Sequence, residues 1–350
     1  MVLINKNFIN SRSEKIMLDW KKLNKKILSA NQIVLSTHQN PDGDGLGSAS
    51  AMYYYINNLG KECKIIHISD LPNQLDFLNQ SNIIETYNNK DHSDWLSSVD
   101  LALIFDVGDY NRLGVLGEKL NKNNVYTINI DHHPNLNDKR FNDNYINIDA
   151  AATGELVYDF LIENNIDLNQ PIAQGIYTAV MTDTGSFRHN NTNQKSHKIA
   201  MDCIEYGVNN SKIYQSIYEN RSKEQVALLA KVIDNLKYHK EGQIASFIIS
   251  NEMLKNCGAT HQDVDGFTDF VRTIEGVEIA IMIFENELNH CRVNFRSKGN
   301  YIINNIAKSL GGGGHKFAAG AMTDGSPDIV LQKVLNLTFN ELVKQSEVKN

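Results

Sequence analysis

The sequence predicts an α/β fold, with an N-terminal domain built on a mostly parallel sheet flanked by helices and a smaller C-terminal mixed α/β domain. Three observations carry this expectation. Strand-like and helix-like segments alternate from residue 32 to residue 185, the pattern of a parallel sheet covered on both faces. Several of those strands end on acids or histidines, and in such sheets ligands bind beyond the carboxyl ends of the strands. From about Ser186 the alternation loosens and a hairpin-like run follows.

Taken in order, "QIVLSTH" reads as a strand and "LGSASAMYYYINNLG" as a helix stopped at Gly60. "CKIIHIS", "DLALIFDVGD" and "NVYTINIDHH" are three further strands. The last is β-rich from Val125 to Ile130 and meets Pro134, which has no N–H to extend a central strand, so Asp131, His132 and His133 fall at the mouth of the sheet. "AATGELVYDFLIENN" and "PIAQGIYTAVMTDTG" read as helices, and "TNQKSHKIAMDCIEYG" and "SKEQVALLAKVIDNL" as connecting helices. "GQIASFIIS", the hairpin within "VEIAIMIFENELNHCRVNFRS" and a closing helix near residues 326–345 complete the chain. The expected division is a first domain over 1–192, a helical linker over 193–228 and a second domain over 229–350.

Bulk properties narrow the class. A length of 350 residues favours two domains, and 41% hydrophobic with 21% charged residues suits a globular protein. No apolar run approaches the roughly 18 residues that span a bilayer, so no membrane is expected. The start, "MVLINKNFINSRSEK", is too short in its apolar part for a secretory signal. Cys63, Cys203, Cys257 and Cys291 form no CxxC pair and read as reduced thiols of a cytoplasmic protein. A net charge of −7 argues against coating long or duplex nucleic acid, while leaving room for a local basic pocket that holds a small anion. A homodimer stays open.

Four places carry the chemistry. "STHQNPDGDGLGS" brings His38, Asp42 and Asp44 into one strand-to-helix loop, where Pro41, Gly43, Gly45 and Gly47 permit a tight path. Asp106 follows "LALIF"; Asp131-His132-His133 follow the next strand; Asp183 lies in "MTDTGSFR". Alone, each aspartate is a turn former or helix cap, and His38 a hydrogen-bonded structural histidine. Together at one sheet edge they would repel and desolvate one another without cations between them. Mixed His and Asp donors suit Mn²⁺ or a similar divalent ion, with Mg²⁺ or Co²⁺ as alternatives. There are donors enough for two metals sharing a carboxylate, a pair that in phosphoryl transfer sits roughly 3.5–4 Å apart.

The second informative stretch is "NFRSKGNYIINNIAKSLGGGGHKFAAG". Gly311 to Gly314 can be a helix C-cap and loop, or a place where backbone N–H groups approach an anion. Arg296 at a strand end and His315 could then clamp a phosphate from the side opposite the metals.

"HQNPDGDGLGS", Asp106, "DHHP" and "TDTGSF" match in order the motifs of the DHH phosphoesterase superfamily, which includes RecJ-like exonucleases, manganese pyrophosphatases and nanoRNases. The Arg-Ser strand end, GGGGH and the small-residue tail resemble the DHHA1 domain. Jointly they look like the nanoRNase/pAp phosphatase subgroup, two-domain cytosolic enzymes, usually manganese-dependent, that cleave short oligoribonucleotides and 3′-phosphoadenosine 5′-phosphate (pAp).

Carried over by position, the resemblance implies that His38, Asp42 and Asp106 hold one metal and that Asp44, Asp106, His132 and Asp183 hold the other. It implies that His133 faces the scissile phosphate and that Asp131 orients the histidine pair from behind. Arg296, Ser297, Gly312, Gly313, Gly314 and His315 become expected nucleotide contacts. Arg112 and Arg188 stand evenly between surface arginine and substrate contact, whereas Arg272 and Lys298 read as surface charges. Phe187 and Phe317 read as packing residues before base-stacking ones. Gly45 departs from the alanine of many relatives, which should loosen the helix start slightly. The rivals are a cyclic-dinucleotide or pApA phosphodiesterase of the same superfamily and a non-catalytic nucleotide-binding protein that kept the fold.

Overall fold

The structure is a computed structural model that describes residues 18–133, 138–287 and 289–349. Pro134 and the N-terminal segment read above lie outside the described residues. The chain divides into two compact units, Met1–Ile217 and Tyr218–Asn350, and the break falls within the stretch expected as a linker. The helix at 194–205 packs into the first unit through buried Ile199 and Cys203.

In the first unit, helix α1 (Trp20–Ser29) precedes β1 (Gln32–Ser36), α2 (Gly43–Asn58), β2 (Glu62–His67), β3 (Ile84–Thr86) and α3 (Asn89–Ser97). Then come β4 (Leu101–Phe105), α4 (Gly114–Lys122), β5 (Tyr126–Asp131), β6 (Asp143–Ile146), α5 (Thr153–Glu163), α6 (Gln170–Asp183), α7 (Gln194–Glu205) and α8 (Asn210–Tyr218). The sheet order is β3-β2-β1-β4-β5-β6, parallel at every pairing. All five residues of β4 are buried, as a strand covered on both faces requires. The order reverses between β1 and β4, so the carboxyl ends of those strands flank the crevice where such sheets take ligands. His38 follows β1 and Asp106 follows β4.

Glycines set how closely the helices behind that crevice approach. A Cβ on Gly47 in α2 would lie 2.4 Å from the carbonyl oxygen of Gly175 in α6, and one on Gly175 would lie 2.5 Å from that of Gly47. Two helical backbones therefore touch where they cross. Gly154 in α5 likewise fits against α6, where a Cβ would come within 2.4 Å of the Ala179 side chain. The expectation of glycines easing a loop is corrected here, since Gly43, Gly45 and Gly47 all belong to α2. Gly45 has a packing reason besides: a Cβ there would sit 2.0 Å from the Thr37 hydroxyl, so with Thr37 in place only glycine packs.

The second unit runs α9 (Lys223–Asp234), β7 (Lys237–His239), β8 (Ile244–Ile249), α10 (Asn251–Cys257), α11 (Phe267–Arg272), β9 (Ile279–Glu287) and β10 (His290–Ser297). It ends with α12 (Asn304–Ser309), β11 (Gly313–His315), β12 (Ala318–Asp324) and α13 (Pro327–Lys349). Its sheet, β11-β12-β10-β9-β8-β7, is mixed, with only β8 and β9 parallel. Strict alternation along β10 buries Cys291, Val293 and Phe295 on one face, where they meet Val330 and Val334 of α13. The other face of the sheet packs Phe247, Met282 and Phe284 with Phe267 and Val271 of α11. Among the described residues no helix is long and apolar enough to cross a membrane.

Candidate metal centre

Each strand end at the crevice delivers a side chain. Asp106 leaves β4 with φ at +60°, a left-handed conformation that aspartate adopts more readily than most residues, and its N–H stays bound to the Ile130 carbonyl at 3.1 Å. Its two carboxylate oxygens face different partners. Oδ2 is 3.5 Å from His38 Nε2, while Oδ1 is 3.5 Å from His132 Nε2 and 3.2 Å from His133 Nδ1. Asp42 caps α2 through Oδ1, which accepts from the amides of Asp44 and Gly45, and presents Oδ2 3.6 Å from His38 Nε2. His132 Nε2 also lies 3.6 Å from Asp44 Oδ2 and 3.7 Å from Asp183 Oδ2. Groups of potential ligands result, among them His38–Asp42–Asp106 and Asp44–His132–Asp183, with Asp106 against both.

Tautomers fit this use. His132 donates Nδ1–H to the Ala150 carbonyl (3.1 Å), which leaves a lone pair on Nε2 toward the carboxylates. His38 Nδ1 is 2.7 Å from the Gln39 carbonyl and 2.8 Å from Arg112 Nη2. Those two contacts exclude each other, because the first needs a proton on Nδ1 and the second a lone pair. Donation to Gln39 is the consistent one, since it alone turns an Nε2 lone pair to the carboxylates.

Electrostatics show what the cluster lacks. Burial pushes Asp44 well above the usual carboxylate range, helped by the negative charge of Asp106, and burial with Asp106 and Asp42 does the same to Asp183. Burial alone would depress His38, yet Asp106 and Asp42 outweigh it and raise the imidazole to about 9. His133 is likewise raised, against burial, by Asp106 and Asp131. Burial opposes ionisation of Asp106 too, but His133, His38 and His132 hold it well below the ordinary value. Protons thus occupy the places cations would take, and oxygen- and imidazole-rich donors of this kind fit hard or borderline divalent ions.

In the second unit, Arg296 at the end of β10 sends Nε to Asp269 Oδ2 (3.1 Å) and Nη1 to the Phe295 carbonyl (3.1 Å). Ser297 is buried and its hydroxyl accepts from the Gly299 N–H at 3.2 Å. The glycine run forms no open loop: Gly313 to His315 make β11 on the edge of β12. Cβ atoms on Gly312 and Gly314 would strike the β12 backbone at 2.1 and 2.6 Å, whereas one on Gly313 would meet nothing.

Comparison with known proteins gives the same division. Residues 32–184 match the model of the DHH family, N-terminal domain, and residues 244–344 match the DHHA1 domain. The chain belongs to the DHH/DHHA1 phosphoesterases, a superfamily of metal-dependent hydrolases. Its relatives include the bifunctional oligoribonuclease and PAP phosphatase NrnA of Thermus thermophilus, 29% identical and covering 89% of this chain and 90% of that one. The protein of the same name from Bacillus subtilis is 28% identical, over 83% of this chain and 88% of that one. In fold the chain resembles an exopolyphosphatase-related protein from Bacteroides fragilis, with a TM-score of 0.84, 23% identity and coverage of 95% and 97% of the two chains.

Around the DHH motifs several sequence-based expectations change. Asp131 was expected to orient both histidines; its Oδ1 takes the N–H (3.0 Å) and Nδ1 (2.8 Å) of His133, while His132 is held by Ala150 instead. Arg272 is no free surface charge, because it pairs with Asp269 (3.2 Å) and reaches the Ser297 carbonyl (3.2 Å). Lys298 stays exposed, with Nζ on the Ile274 carbonyl. Arg188 is exposed and turns back onto the Gly185 carbonyl (2.7 Å). Phe187 packs its ring on His197 at 5.3 Å.

Other residues of the DHH unit escaped the motif reading altogether. Thr153 and Gly154 bind Asp44 through their amides, and the Thr153 hydroxyl binds Asp106. The Asn191 amide donates to Asp183 Oδ2 and to the Ala151 carbonyl, and the buried Glu155 accepts the Ala151 N–H while pairing with Lys195. One signal was visible. The residue before α5 is Ala152, which has no side chain to cap a helix, so the first amides of α5 had to find a carboxylate elsewhere.

Proposed function

We propose that the chain hydrolyses short single-stranded oligoribonucleotides, pApA among them, to mononucleotides and converts pAp to AMP, using two divalent metal ions of which Mn²⁺ is the best match. The observation that carries this reading is the pair of ligand groups set side by side with Asp106 against both. Relatives named as bifunctional oligoribonucleases and PAP phosphatases support the substrate class. In this reading His38, Asp42 and Asp106 hold one ion and Asp44, Asp106, His132 and Asp183 the other. Bound metals supply the positive charge that polarises a phosphoryl group and orders the attacking and leaving oxygens.

The chain's own residues do the rest. His133, held at Nδ1 by Asp131, is the residue assigned to the substrate phosphate. Once His38 Nδ1 donates to Gln39, Arg112 finds no acceptor there, and its guanidinium can take an anion instead. Arg296, Ser297, His315 and the Gly312–Gly314 edge are assigned to the nucleotide, with Arg188 as an outlying contact. The net charge of −7 gives little of the counterion release that draws long strands, so activity should peak at about two to five nucleotides. The four cysteines are free thiols, in keeping with the cytoplasmic location expected from the sequence.

The test is a chromatographic assay with Mn²⁺ on pAp, pApA, cyclic di-AMP, pyrophosphate, a five-nucleotide RNA and a long RNA. Highest kcat/KM on pAp and the shortest RNAs is the expected outcome. Rates that stay flat or rise with length would replace this reading with a processive exonuclease, and preference for cyclic di-AMP would replace it with a cyclic-dinucleotide phosphodiesterase.

A further inference from the structure

Thr153 makes hydrogen bonds to carboxylates of both ligand groups. Its N–H donates to Asp44 Oδ2 at 2.7 Å, and its hydroxyl donates to Asp106 Oδ1 at 3.2 Å. Gly154 completes the hold on Asp44, its N–H reaching Oδ1 at 2.9 Å. All three bonds run between segments far apart in sequence, and Thr153 is fully buried. A threonine in the first turn of a helix would ordinarily serve its own helix or face water. Here the hydroxyl serves a carboxylate 47 residues away.

We propose that Thr153 is a positioning residue that fixes the rotation of the Asp106 carboxylate, so that one oxygen addresses each ligand group. The inference rests on the two-metal reading above. A carboxylate free to turn about its Cβ–Cγ bond would sample planes in which its two oxygens do not face the two groups at once. The hydroxyl pins Oδ1 on the side of His132 and His133, which leaves Oδ2 directed at His38. The pin is itself rigid. Thr153 sits at the start of α5, whose next residue, Gly154, packs against Ala179 of α6 without room for a Cβ. Because the N–H to Asp44 comes from the backbone, replacing the side chain removes only the bond to Asp106.

The experiment uses the full chain and the variants Thr153→Val, Thr153→Ala and Thr153→Ser. Valine keeps the shape, alanine removes the hydroxyl without adding bulk, and serine keeps it. Mn²⁺ binding is measured by titration calorimetry, turnover on pApA at saturating Mn²⁺, and folding by the metal-free melting temperature. The expected result is a loss of Mn²⁺ affinity of about tenfold or more in Thr153→Val and Thr153→Ala, the size typical for partners behind a metal ligand. With it comes a fall in kcat at unchanged KM, and Thr153→Ser restores both. A merely structural role would lower the melting temperature and leave affinity and kcat alone, and that result overturns the inference. Wild-type protein that binds no Mn²⁺ would overturn the two-metal reading itself; wild-type protein binding two ions with unaltered variants would overturn only the role of Thr153.

Discussion

In the first unit the carboxylates of Asp44, Asp106 and Asp131 are buried with the imidazoles of His38 and His132, and protons supply the missing positive charge. In the second unit the arginines of β10 and the neighbouring Arg272 of α11 already have acids: Arg292 meets Asp265 at 2.9 Å, and Asp269 takes both Arg296 (3.1 Å) and Arg272 (3.2 Å). The first arrangement is incomplete as a set of side chains, whereas the second is close to neutral. A buried excess of donors is costly until cations enter, which suits such a cluster to strong metal binding. A half-exposed arginine shared with an aspartate gains only modestly by exchanging that acid for a phosphate. On the function proposed above, the first arrangement suits the chemistry and the second an adjustable grip.

The sharpest way to break the contrast is to remove the shared carboxylate. Asp106→Ala should lower turnover by at least about a thousandfold, the scale of losing transition-state charge stabilisation, while the chain stays folded. Chelation should do the same to the wild type, and Mn²⁺ should restore it. Near-normal turnover of Asp106→Ala would end the two-metal assignment.

Next comes the frame that holds the carboxylates. Gly47→Ala should cost about 1–3 kcal/mol in denaturant unfolding through overpacking at α6. An unchanged midpoint would show that the two backbones can separate.

The pH dependence of the metal-free protein sharpens the claim that protons stand in for cations. His38 is raised from 6.5 to about 9, so its stabilising contribution is complete below pH 6.5 and is lost as pH rises through 9. Asp44 and Asp183 are raised as well, so above pH about 4 the native state holds protons that the unfolded chain has released, and stability falls with rising pH for them too. The melting temperature without metal should therefore drop between pH 6 and 9. Saturating Mn²⁺ should flatten that slope, and a metal-free curve that rises instead would contradict it.

In the second unit the effects should be smaller. His315→Ala should raise KM for pApA about tenfold, one charge-assisted hydrogen bond to a phosphate, with Mn²⁺ stoichiometry intact. Loss of metal from that variant would erase the division of labour. Smallest of all, Gly313→Ala should change stability by less than about 0.5 kcal/mol, since its Cβ would meet nothing, and a larger effect would mean that the β11 edge tolerates no side chain at all.

How much of this was legible in the sequence differs by element. Strands with long apolar runs such as β4 declare themselves, because burial on both faces leaves no place for polar residues. Helix α3, "NKDHSDWLS", buries only His92 and Leu96, and three-residue β3 sits at a sheet edge, so neither has a periodic signal to read. Strand β11 has no local preference for extended structure; it exists because β12 offers an edge and glycines fit against it. The ligand residues stood out because Asp and His are conspicuous at strand ends. Thr153 and Asn191 were invisible, being ordinary residue types whose role is set by neighbours distant in the chain.

The bare crossing of Gly47 on Gly175 works as a caliper. The jaws are α2, which carries Asp42 and Asp44 at its start, and α6, which ends on Asp183, and their opening is set where main chain rests on main chain. A hinge made of side chains would widen or narrow with every exchange of leucine for methionine in the surrounding core. This one has no side chain to exchange. Exchanges in the surrounding hydrophobic interior should therefore leave the gap between the jaws at its gauge.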